Sequence, residues 1–333
     1  MLTRQQQLDL VTLAGRAPSP HNIQPARWRF VRDVLELWEA PSRWLVVGDP
    51  QGRDNLISLG MAWEGMTIAL AQLGLSLELQ ARDALMYPAG KPGPRRVASG
   101  RFSSGGCADS LFASLENRRS WRGDFKPSSR EQLQALDACI AAHPAVAMTV
   151  PDAVAAQVCK WYDEAAAVGL NDAAFARELY GWMRFSPRDR NWLRDGLSAD
   201  CLALSGFEAW GASFALKPAV VRVLAAFSLT QMLVSEASKI RSAARVVMIH
   251  VPVHAEPFDS GRAWFRFWLA LAAAGCAGVP MSALSDAPAY AVRLVAAVPL
   301  PPDRRLINVM RLGPAPASVP RSARLPAAEL LLE

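Results

Sequence analysis

The sequence predicts an α+β fold built from two related halves. Helical and strand patterns alternate along the 333 residues, and one long apolar helix pattern occurs twice. Hydrophobic residues make up 51% of the chain and charged residues 20%, which is typical of a globular protein. A chain of this length can bury a large core in one large domain or in two domains.

The first hundred residues are expected to form two helices with strands between them. Apolar spacing over 3–15 predicts a helix that ends at Gly15. The β-forming residues of 27–40 and 43–49 predict a hairpin or meander. Asp54 is expected to cap a long apolar helix that ends at Gly74, and the Gly-, Pro- and Ser-rich stretch 87–106 predicts a linker.

The remaining residues predict more helix, with strands near the end. A helix over 109–125 is expected to run into a basic turn, and Ser128 or Ser129 is expected to begin the next amphipathic helix. Residues 153–240 are expected to be largely helical. A strand over 244–253, a second long apolar helix from Gly261, and short strands near 293–300 and 306–313 complete the prediction.

The two long helix patterns form an internal repeat, because residues 60–74 and 261–275 align without gaps. Ala and Leu are common in any core, so chance similarity is one explanation. The shared Gly-x-Ala-Trp start favours duplication, with two similar halves packed like a fused dimer. The identical pairs are Gly60/Gly261, Ala62/Ala263, Trp63/Trp264, Ala69/Ala270, Leu70/Leu271, Ala71/Ala272 and Gly74/Gly275.

Charge and apolar patterning narrow the class of protein. The net charge of +6 favours anionic partners, but the basic residues are scattered, so a nucleic-acid partner is not expected. The start of the chain has no signal-peptide pattern. The apolar stretch from Ala263 contains Arg266, which favours a buried core helix over a membrane span. Five widely spaced cysteines without a C-x-x-C pair fit a reducing cytoplasm, and no zinc site is expected.

No known catalytic motif in the sequence identifies a candidate catalytic residue. The sequence lacks the G-x-G-x-x-G, P-loop, H-E-x-x-H and G-x-S-x-G patterns. Its four histidines have no metal-ligand spacing. The catalytic residues therefore stay unknown, and no metal ion is expected.

Two polar clusters could instead bind a ligand. Arg118, Arg119, Ser120 and Arg122 lie within five residues, and guanidinium groups bind phosphate oxygens bidentately. Taken alone, this cluster is also compatible with a solvated helix end. The second cluster is the turn 18–25, which places polar side chains between prolines and is also compatible with a plain turn and helix cap.

Together these clusters resemble the FMN-dependent nitroreductase superfamily, which carries an R-R-S-x-R motif and a P-S-x-x-N-x-Q-P turn. The stretch Arg321–Pro326 is similar to its C-terminal S-R-x-P arm. Here the turn precedes the arginines by about a hundred residues. This order, with the repeat, resembles the two-domain, Acg-like branch, in which one chain holds two nitroreductase-like halves with mixed or antiparallel sheets flanked by helices.

The resemblance implies one FMN per chain, with a small-molecule substrate and NAD(P)H as electron donor. It also implies a pseudo-dimer within one chain, with a further homodimer left open. The first half would span 1–105 and the second 106–333, with a helical, lid-like insertion at about 150–240. The implied FMN-binding residues are Pro18, Ser19, His21, Asn22, Gln24, Arg118, Arg119, Ser120, Arg122, Ser282, Ala283, Arg321 and Arg324.

The implied activity is an oxidoreductase that passes a hydride from NAD(P)H through flavin N5 to a nitroaromatic or quinone-like acceptor. Two alternatives stay open on the same fold. One is an FMN storage protein with an occluded flavin and little turnover, and the other is a specialised flavin-dependent dehydrogenase. The fold alone does not separate them.

Overall fold

The computed structural model describes residues 2–83, 95–234 and 236–333. The chain forms two four-stranded antiparallel sheets flanked by helices, which confirms the predicted α+β class. Residues 84–94 lie outside the described residues, and they include 87–94 of the predicted linker.

The first sheet is built from the residues before 105. Its strand order is β1-β2-β4-β3, and each neighbouring pair is antiparallel. The long helix α2 connects the second strand to the third and packs on the sheet. The elements are α1 (Arg4–Ala14), a 3-10 turn (Pro20–Asn22), β1 (Ala26–Val31), β2 (Val34–Glu39), α2 (Arg53–Gln72), β3 (Leu75–Arg82) and β4 (Arg95–Ser104).

The second sheet is built from residues after 105, with the order β5-β8-β10-β9. Many helices separate its first two strands. The elements are α3 (Phe112–Asn117), α4 (Arg130–Ala141), β5 (Ala147–Thr149), α5 (Asp152–Asn171), α6 (Ala173–Gly181), β6 (Met183–Arg184), β7 (Leu197–Ser198), α7 (Gly206–Ala215), α8 (Pro218–Ala226), a 3-10 turn (Thr230–Leu233), α9 (Ala237–Arg241), β8 (Arg245–Pro252), α10 (Pro257–Ala273), β9 (Cys276–Pro280), α11 (Ala283–Asp286), α12 (Pro288–Ala297), β10 (Arg304–Pro314) and α13 (Ala327–Leu330).

The two sheets share one connectivity. In each, a long helix joins the second strand in chain order to the third, and the fourth strand lies between those two. The glycines that follow the two long helices, Gly74 and Gly275, both adopt left-handed backbone with φ of 73° and 72°. Each turns the chain directly from its helix into the next strand, a conformation that favours glycine.

The long helices α2 and α10 cross at the two glycines of the repeat. A Cβ atom on Gly60 would lie 1.9 Å from the carbonyl oxygen of Phe258. A Cβ atom on Gly261 would lie 2.0 Å from the carbonyl oxygen of Ile57. Each glycine approaches the residue three positions before the other glycine. The two contacts are therefore equivalent, as in a two-fold interface between identical subunits. Only glycine permits this backbone approach.

Several predicted elements are confirmed. Helix α1 ends immediately before Gly15, and Ser129 caps α4 with a complete capping box to Gln132. Residues 152–241 are largely helical. The apolar stretch from Ala263 belongs to α10, a buried core helix, and Arg266 forms ion pairs with Glu64 and Asp109.

Four local predictions are wrong. Residues 43–49 form turns, and the helix cap before α2 is Gly52 with φ of 69°. Residues 95–104 of the predicted linker form β4, which hydrogen-bonds to strands on both sides. Residues 293–297 belong to α12, because Pro288 at its first turn starts a helix and apolar spacing alone does not separate the two states.

The end of the chain returns to the first sheet. Leu331 forms a parallel bridge with Trp28 of β1, and the Leu332 amide donates to the Trp28 carbonyl at 2.6 Å. The segment 315–331 therefore crosses from β10 of the second sheet onto the first. We call residues 321–331 the C-terminal arm.

Candidate functional site

A cavity of about 1080 Å³ lies where segments from both sheets meet. It exceeds the roughly 300–1,000 Å³ of usual ligand pockets. The turn 18–22, the 118–122 motif, the β9–α11 junction and the C-terminal arm all border it. The predicted site residues that line it are Pro18, Ser19, His21, Asn22, Arg118, Ser120, Arg122, Ser282, Ala283 and Arg324.

The turn that borders the cavity has an unusual backbone. His21, Asn22 and Gln24 have φ of 47°, 56° and 53°, in the left-handed region that residues other than glycine seldom adopt. The Gln24 amide donates to the Ser19 hydroxyl at 3.0 Å and helps to fix this shape. Such conformations cost free energy and occur where the surrounding contacts impose them.

The side chains of Asn22 and Gln24 attach the turn to the C-terminal arm. Asn22 Nδ2 donates to the Ala323 carbonyl at 3.0 Å, and its Oδ1 accepts from Arg324 at 2.8 Å. Gln24 Oε1 accepts from the Leu325 amide at 2.8 Å. Asn22 thus borders the cavity with its polar atoms bonded to protein, which makes it a positioning residue for the arm.

Three guanidinium groups meet at the cavity wall. Burial and then the charge of Arg324 lower the pKa of Arg118 to about 9. Burial and then Arg16 lower the pKa of Arg324 to about 10, and burial lowers that of Arg122 as well. None of the three forms an ion pair within the described ranges 2–83, 95–234 and 236–333. This wall is cationic, and the Glu236 carboxylate, which also lines the cavity, acts on the pKa of Arg122 without forming an ion pair with it.

Arg118 is held in place from several sides. Its guanidinium lies 4.7 Å from the ring centre of Trp268, and Nη2 donates to the Arg16 carbonyl at 3.1 Å. Its Nε is buried and has no hydrogen-bond partner among the residues that the structure describes. Ser120 forms a bridge to Gly278 of β9, which fixes the motif to the edge of the second sheet. The donor set is therefore rigid and incompletely used.

Three predicted site residues lie outside the cavity lining. Arg119 donates to the carbonyls of Glu116 and Arg118, and Arg321 is exposed. Gln24 is buried behind the turn, where it binds the arm. A direct role in cofactor binding stays a prediction for all three.

The structure adds residues that sequence analysis missed. Arg311 in β10 is buried and donates to the Gly123 carbonyl at 2.9 Å, and Asn308 donates to the Ser282 hydroxyl at 3.0 Å. Both line the cavity, as does Tyr162, whose pKa is raised to about 12 by burial and then by Glu236. A charged residue inside the apolar strand pattern 306–313 was the one available signal for Arg311.

Carboxylates line another part of the same cavity. Asp54 and Asp286 both pair with Arg53, at 2.9 and 3.0 Å. Burial and then Asp54 raise the pKa of Asp286 to about 7, and the same causes raise that of Asp49 to about 6. The cavity thus has one cationic wall and one wall of carboxylates that share a single arginine.

The insertion supplies an apolar cover. Its side chains face the cavity from α5, α6, α7 and the segment 197–204. They include Val168, Leu170, Phe175, Leu179, Leu197, Leu202, Leu204, Ala212 and Leu216. These side chains lie within 150–240, where a lid-like insertion is predicted, and that insertion stays a prediction.

His21 gives the site an acid-sensitive stability. Burial and then Arg122 lower the pKa of His21 to about 4. Between its ordinary pKa, ~6.5, and pH 4 the unfolded chain takes up a proton that the folded chain rejects, so stability falls as pH falls. We expect His21→Asn, which tolerates positive φ, to lose about 3 kcal/mol less than the wild type from pH 7 to pH 4. Denaturant unfolding across this range measures it, and equal slopes would contradict the prediction.

Comparison with known proteins links part of the chain to nitroreductases. Two proteins of Mycobacterium tuberculosis, from strains CDC 1551 and H37Rv, are each named "Putative NAD(P)H nitroreductase" and are 48% identical to this chain over 65 residues. The match covers 20% of this chain and 19% of each relative, so it spans about a fifth of their length. It supports the resemblance to the nitroreductase superfamily over that segment. No family model matches the chain.

Solved structures give a looser match. The FMN-dependent nitroreductase NfnB of Mycobacterium smegmatis, in complex with NADPH, is 20% identical with a TM-score of 0.36, over 64% of this chain and 96% of that one. A Bacteroides fragilis nitroreductase with bound FMN is 12% identical with a TM-score of 0.32, over 66% and 95%. These superpositions are too loose to define the arrangement of the two sheets.

Proposed function

We propose that this protein is an FMN-dependent NAD(P)H oxidoreductase of the nitroreductase superfamily. The observation that carries the proposal is the cluster of Arg118, Arg122 and Arg324 at the cavity wall, where Arg118 is buried, the other two are partly buried, and none forms an ion pair within the described residues. Buried charges are costly unless they are paired, and a bound phosphate would supply the missing partner. Guanidinium groups match the oxygens of a phosphate.

A second observation at the cavity wall also fits FMN. The buried Nε of Arg118 has no hydrogen-bond partner within the described residues, so its guanidinium keeps an unused donor. Arg118, Arg122, Ser120 and Arg324 would hold that phosphate. The backbone of the 18–22 turn and of Ser282–Ala283 would border the ring system. Nitroreductase names among the relatives and FMN in the solved structures support the same cofactor.

When bound, FMN would supply the redox chemistry by taking a hydride from NAD(P)H and passing it to an acceptor. The protein's own part is to bind, orient and exclude water. Pro18 and Pro20 stiffen the turn. The apolar side chains of the insertion exclude water from the space beyond the cationic wall. That space has room for a second molecule, in line with a nitroaromatic or quinone-like acceptor.

We also propose that the chain is a tandem of two nitroreductase-like halves, 1–105 and 106–333, with one FMN per chain. The shared strand order and the reciprocal glycine contacts of α2 and α10 support this. So does the origin of the site, because the 18–22 turn belongs to one half while the 118–122 motif and the arm belong to the other. The branch that this order resembles is the two-domain, Acg-like one.

A second candidate function is FMN sequestration. The insertion covers the cavity with apolar side chains from several helices, which favours restricted access for an electron donor or acceptor. The oxidoreductase and the storage protein share one binding site. They differ in whether NAD(P)H reaches the bound cofactor.

One titration separates these two functions. We expect the purified protein to be yellow with about one FMN per chain, and anaerobic NADH or NADPH to bleach the flavin absorbance rapidly. Bleaching requires that NAD(P)H reach the bound flavin, so the flavin of an active enzyme should bleach within the time of one turnover. No bleaching over hours would favour sequestration, and a colourless protein that does not take up added FMN would contradict both.

A further inference from the structure

The turn that borders the cavity is bonded to the segment 194–196 as well as to the C-terminal arm. The carbonyl of Arg194 accepts a hydrogen bond from Gln24 Nε2 at 2.8 Å. The carbonyl of Gly196 accepts one from Asn22 Nδ2 at 3.2 Å. Asn22 and Gln24 both have a positive φ, and both are buried. The segment 194–196 therefore binds the turn at residues whose backbone conformation is unfavourable.

The Asp195 side chain makes a third connection to the turn. Its carboxylate pairs with Arg43 at 2.8 Å and with Arg184 at 2.7 Å. Arg43 also donates to the carbonyl of Ile23 at 3.1 Å. Asp195 is 4% exposed, and a carboxylate with so little access to water depends on its two cationic partners. The turn is therefore linked through Arg43 to a buried ion-pair network.

The segment 194–196 is itself held closely in place. The ring centre of Trp182 lies 5.7 Å from the guanidinium carbon of Arg43 and 6.0 Å from that of Arg184. Gly196 has φ of 76°, and a Cβ atom there would lie 2.5 Å from the Trp182 carbonyl oxygen. Glycine allows both this conformation and this close approach. The turn is thus bonded to a well-packed partner.

Helices α7 and α8, which follow this segment, lack such an attachment. Within the described residues, no hydrogen bond or ion pair joins either helix to residues before 105. Tyr180 donates to the Ser213 carbonyl of α7 at 3.2 Å, a bond that stays within 150–240. No single helix of the described residues is long and apolar enough to cross a membrane, and α7 with α8 is so only as a pair bent by 71°. The region 150–240 is therefore bonded to the turn through residues that precede α7.

We propose that Asp195 is a positioning residue that keeps the turn in its left-handed backbone at the cavity. Such a backbone persists where surrounding contacts impose it, and here the contacts come from 194–196 as well as from the arm. Asn22 also accepts from Arg324 of the cationic wall at 2.8 Å, so the turn in its place orients that guanidinium. An effect on a flavin ring rests on the proposed function, whereas the effect on the turn does not.

Amide hydrogen exchange of the apo protein tests this role without the cofactor. The amides of residues 22–24 each donate to an oxygen within the turn at 3.0 Å. Asp195→Asn is expected to speed their exchange by about tenfold or more, because it leaves buried guanidinium groups unpaired. Arg43→Gln keeps the pair of Asp195 with Arg184 and is the milder variant. It is expected to speed the same exchange by about threefold or more.

Glu64→Gln is the matched control. Glu64 is 4% exposed and, like Asp195, pairs with two arginines, which are Arg262 at 2.8 Å and Arg266 at 2.9 Å. These pairs join α2 to α10, so we expect faster exchange in those helices and wild-type exchange in the turn. Unchanged turn exchange in Asp195→Asn and Arg43→Gln would overturn the proposal, because the arm alone would then hold the turn. Equal acceleration by Glu64→Gln would overturn it too, since lost stability would explain the effect.

A spectroscopic measurement on the FMN-loaded protein separates this role from the proposed function. If the turn borders the flavin ring, Asp195→Asn should weaken the visible circular dichroism of the flavin while Arg118 and Arg122 still retain it. Unchanged dichroism with faster turn exchange would support the role of Asp195 and contradict the position proposed for the ring. A wild type that binds no FMN would contradict the proposed function, and the exchange rates would still decide the role of Asp195.

Discussion

Replacing Arg118 and Arg122 together by alanine is expected to abolish FMN retention. Both side chains line the cavity, Arg118 is buried and Arg122 is partly buried, and neither forms an ion pair within the described residues. A charge-assisted hydrogen bond contributes about 1.5–3 kcal/mol. Losing two such contacts should weaken FMN binding by about 10²–10⁴-fold. Flavin absorbance after gel filtration, and a Kd from fluorescence quenching, measure the loss.

A matched control distinguishes the site from the motif. Arg119→Ala removes one guanidinium from the same five residues, but Arg119 bonds to the carbonyls of Glu116 and Arg118 outside the cavity lining. We expect this variant to keep FMN to within a few-fold. If the double variant retained FMN like the wild type, the phosphate assignment would be wrong. If Arg119→Ala lost FMN equally, the motif would bind through its summed charge.

The apo double variant should not be less stable than the apo wild type. Burial and then the charge of Arg324 lower the pKa of Arg118, with smaller contributions from Arg119 and Arg122, so Arg118 is repelled by its cationic neighbours. Removing uncompensated charge often offsets the contacts that are lost. Thermal unfolding without FMN therefore separates lost binding from lost folding.

The residues of the candidate site are easier to predict from the sequence than the contacts that hold them in place. Pro18, Asn22, Arg118 and Arg122 stood out because polar and cationic side chains clustered in short motifs. The bonds from Asn22 and Gln24 to the arm connect positions about 300 residues apart. Pattern within a short window carries no information about such long-range partners. The sequence therefore does not distinguish a residue that contacts a ligand from a residue that positions another part of the site.

Strand prediction failed where local composition and tertiary pairing disagree. Residues 95–104 contain Gly, Ser and Arg and resemble a loop, yet they form β4 between two strands. Gly100 fits there because a Cβ atom would lie 2.5 Å from the Glu78 carbonyl oxygen. Residues 43–49 have the opposite problem, since their apolar side chains resemble a strand but Val46 is 59% exposed in a turn. Context overrides β-propensity in both cases.

The internal repeat could be found in the sequence, but its purpose could not. Gly60 and Gly261 appeared as two of several identical positions. Only the helix crossing shows that each accommodates a carbonyl oxygen of the other helix. The repeat thus preserves an interface as well as a helix pattern.

Gly60→Ala and Gly261→Ala are each expected to destabilise the protein by about 3 kcal/mol or more. The added methyl groups would lie 1.9 and 2.0 Å from backbone oxygens, so α2 and α10 must move apart. Better helix propensity of Ala returns only about 1 kcal/mol. Because one displacement relieves both clashes, the double variant should cost less than the sum. Urea unfolding at constant pH measures each value.

Gly211→Ala is the matched control for the crossing. Gly211 lies inside α7, and a Cβ atom there would meet nothing within 4 Å. The same substitution should therefore stabilise by about 0.5–1 kcal/mol through helix propensity alone. If Gly60→Ala and Gly261→Ala destabilise the protein equally and the double variant shows strong coupling, the result would fit a helix pair related by a two-fold axis. Small and additive effects at Gly60 and Gly261 would mean that the helices are not held at this distance, and the tandem proposal would lose its main support.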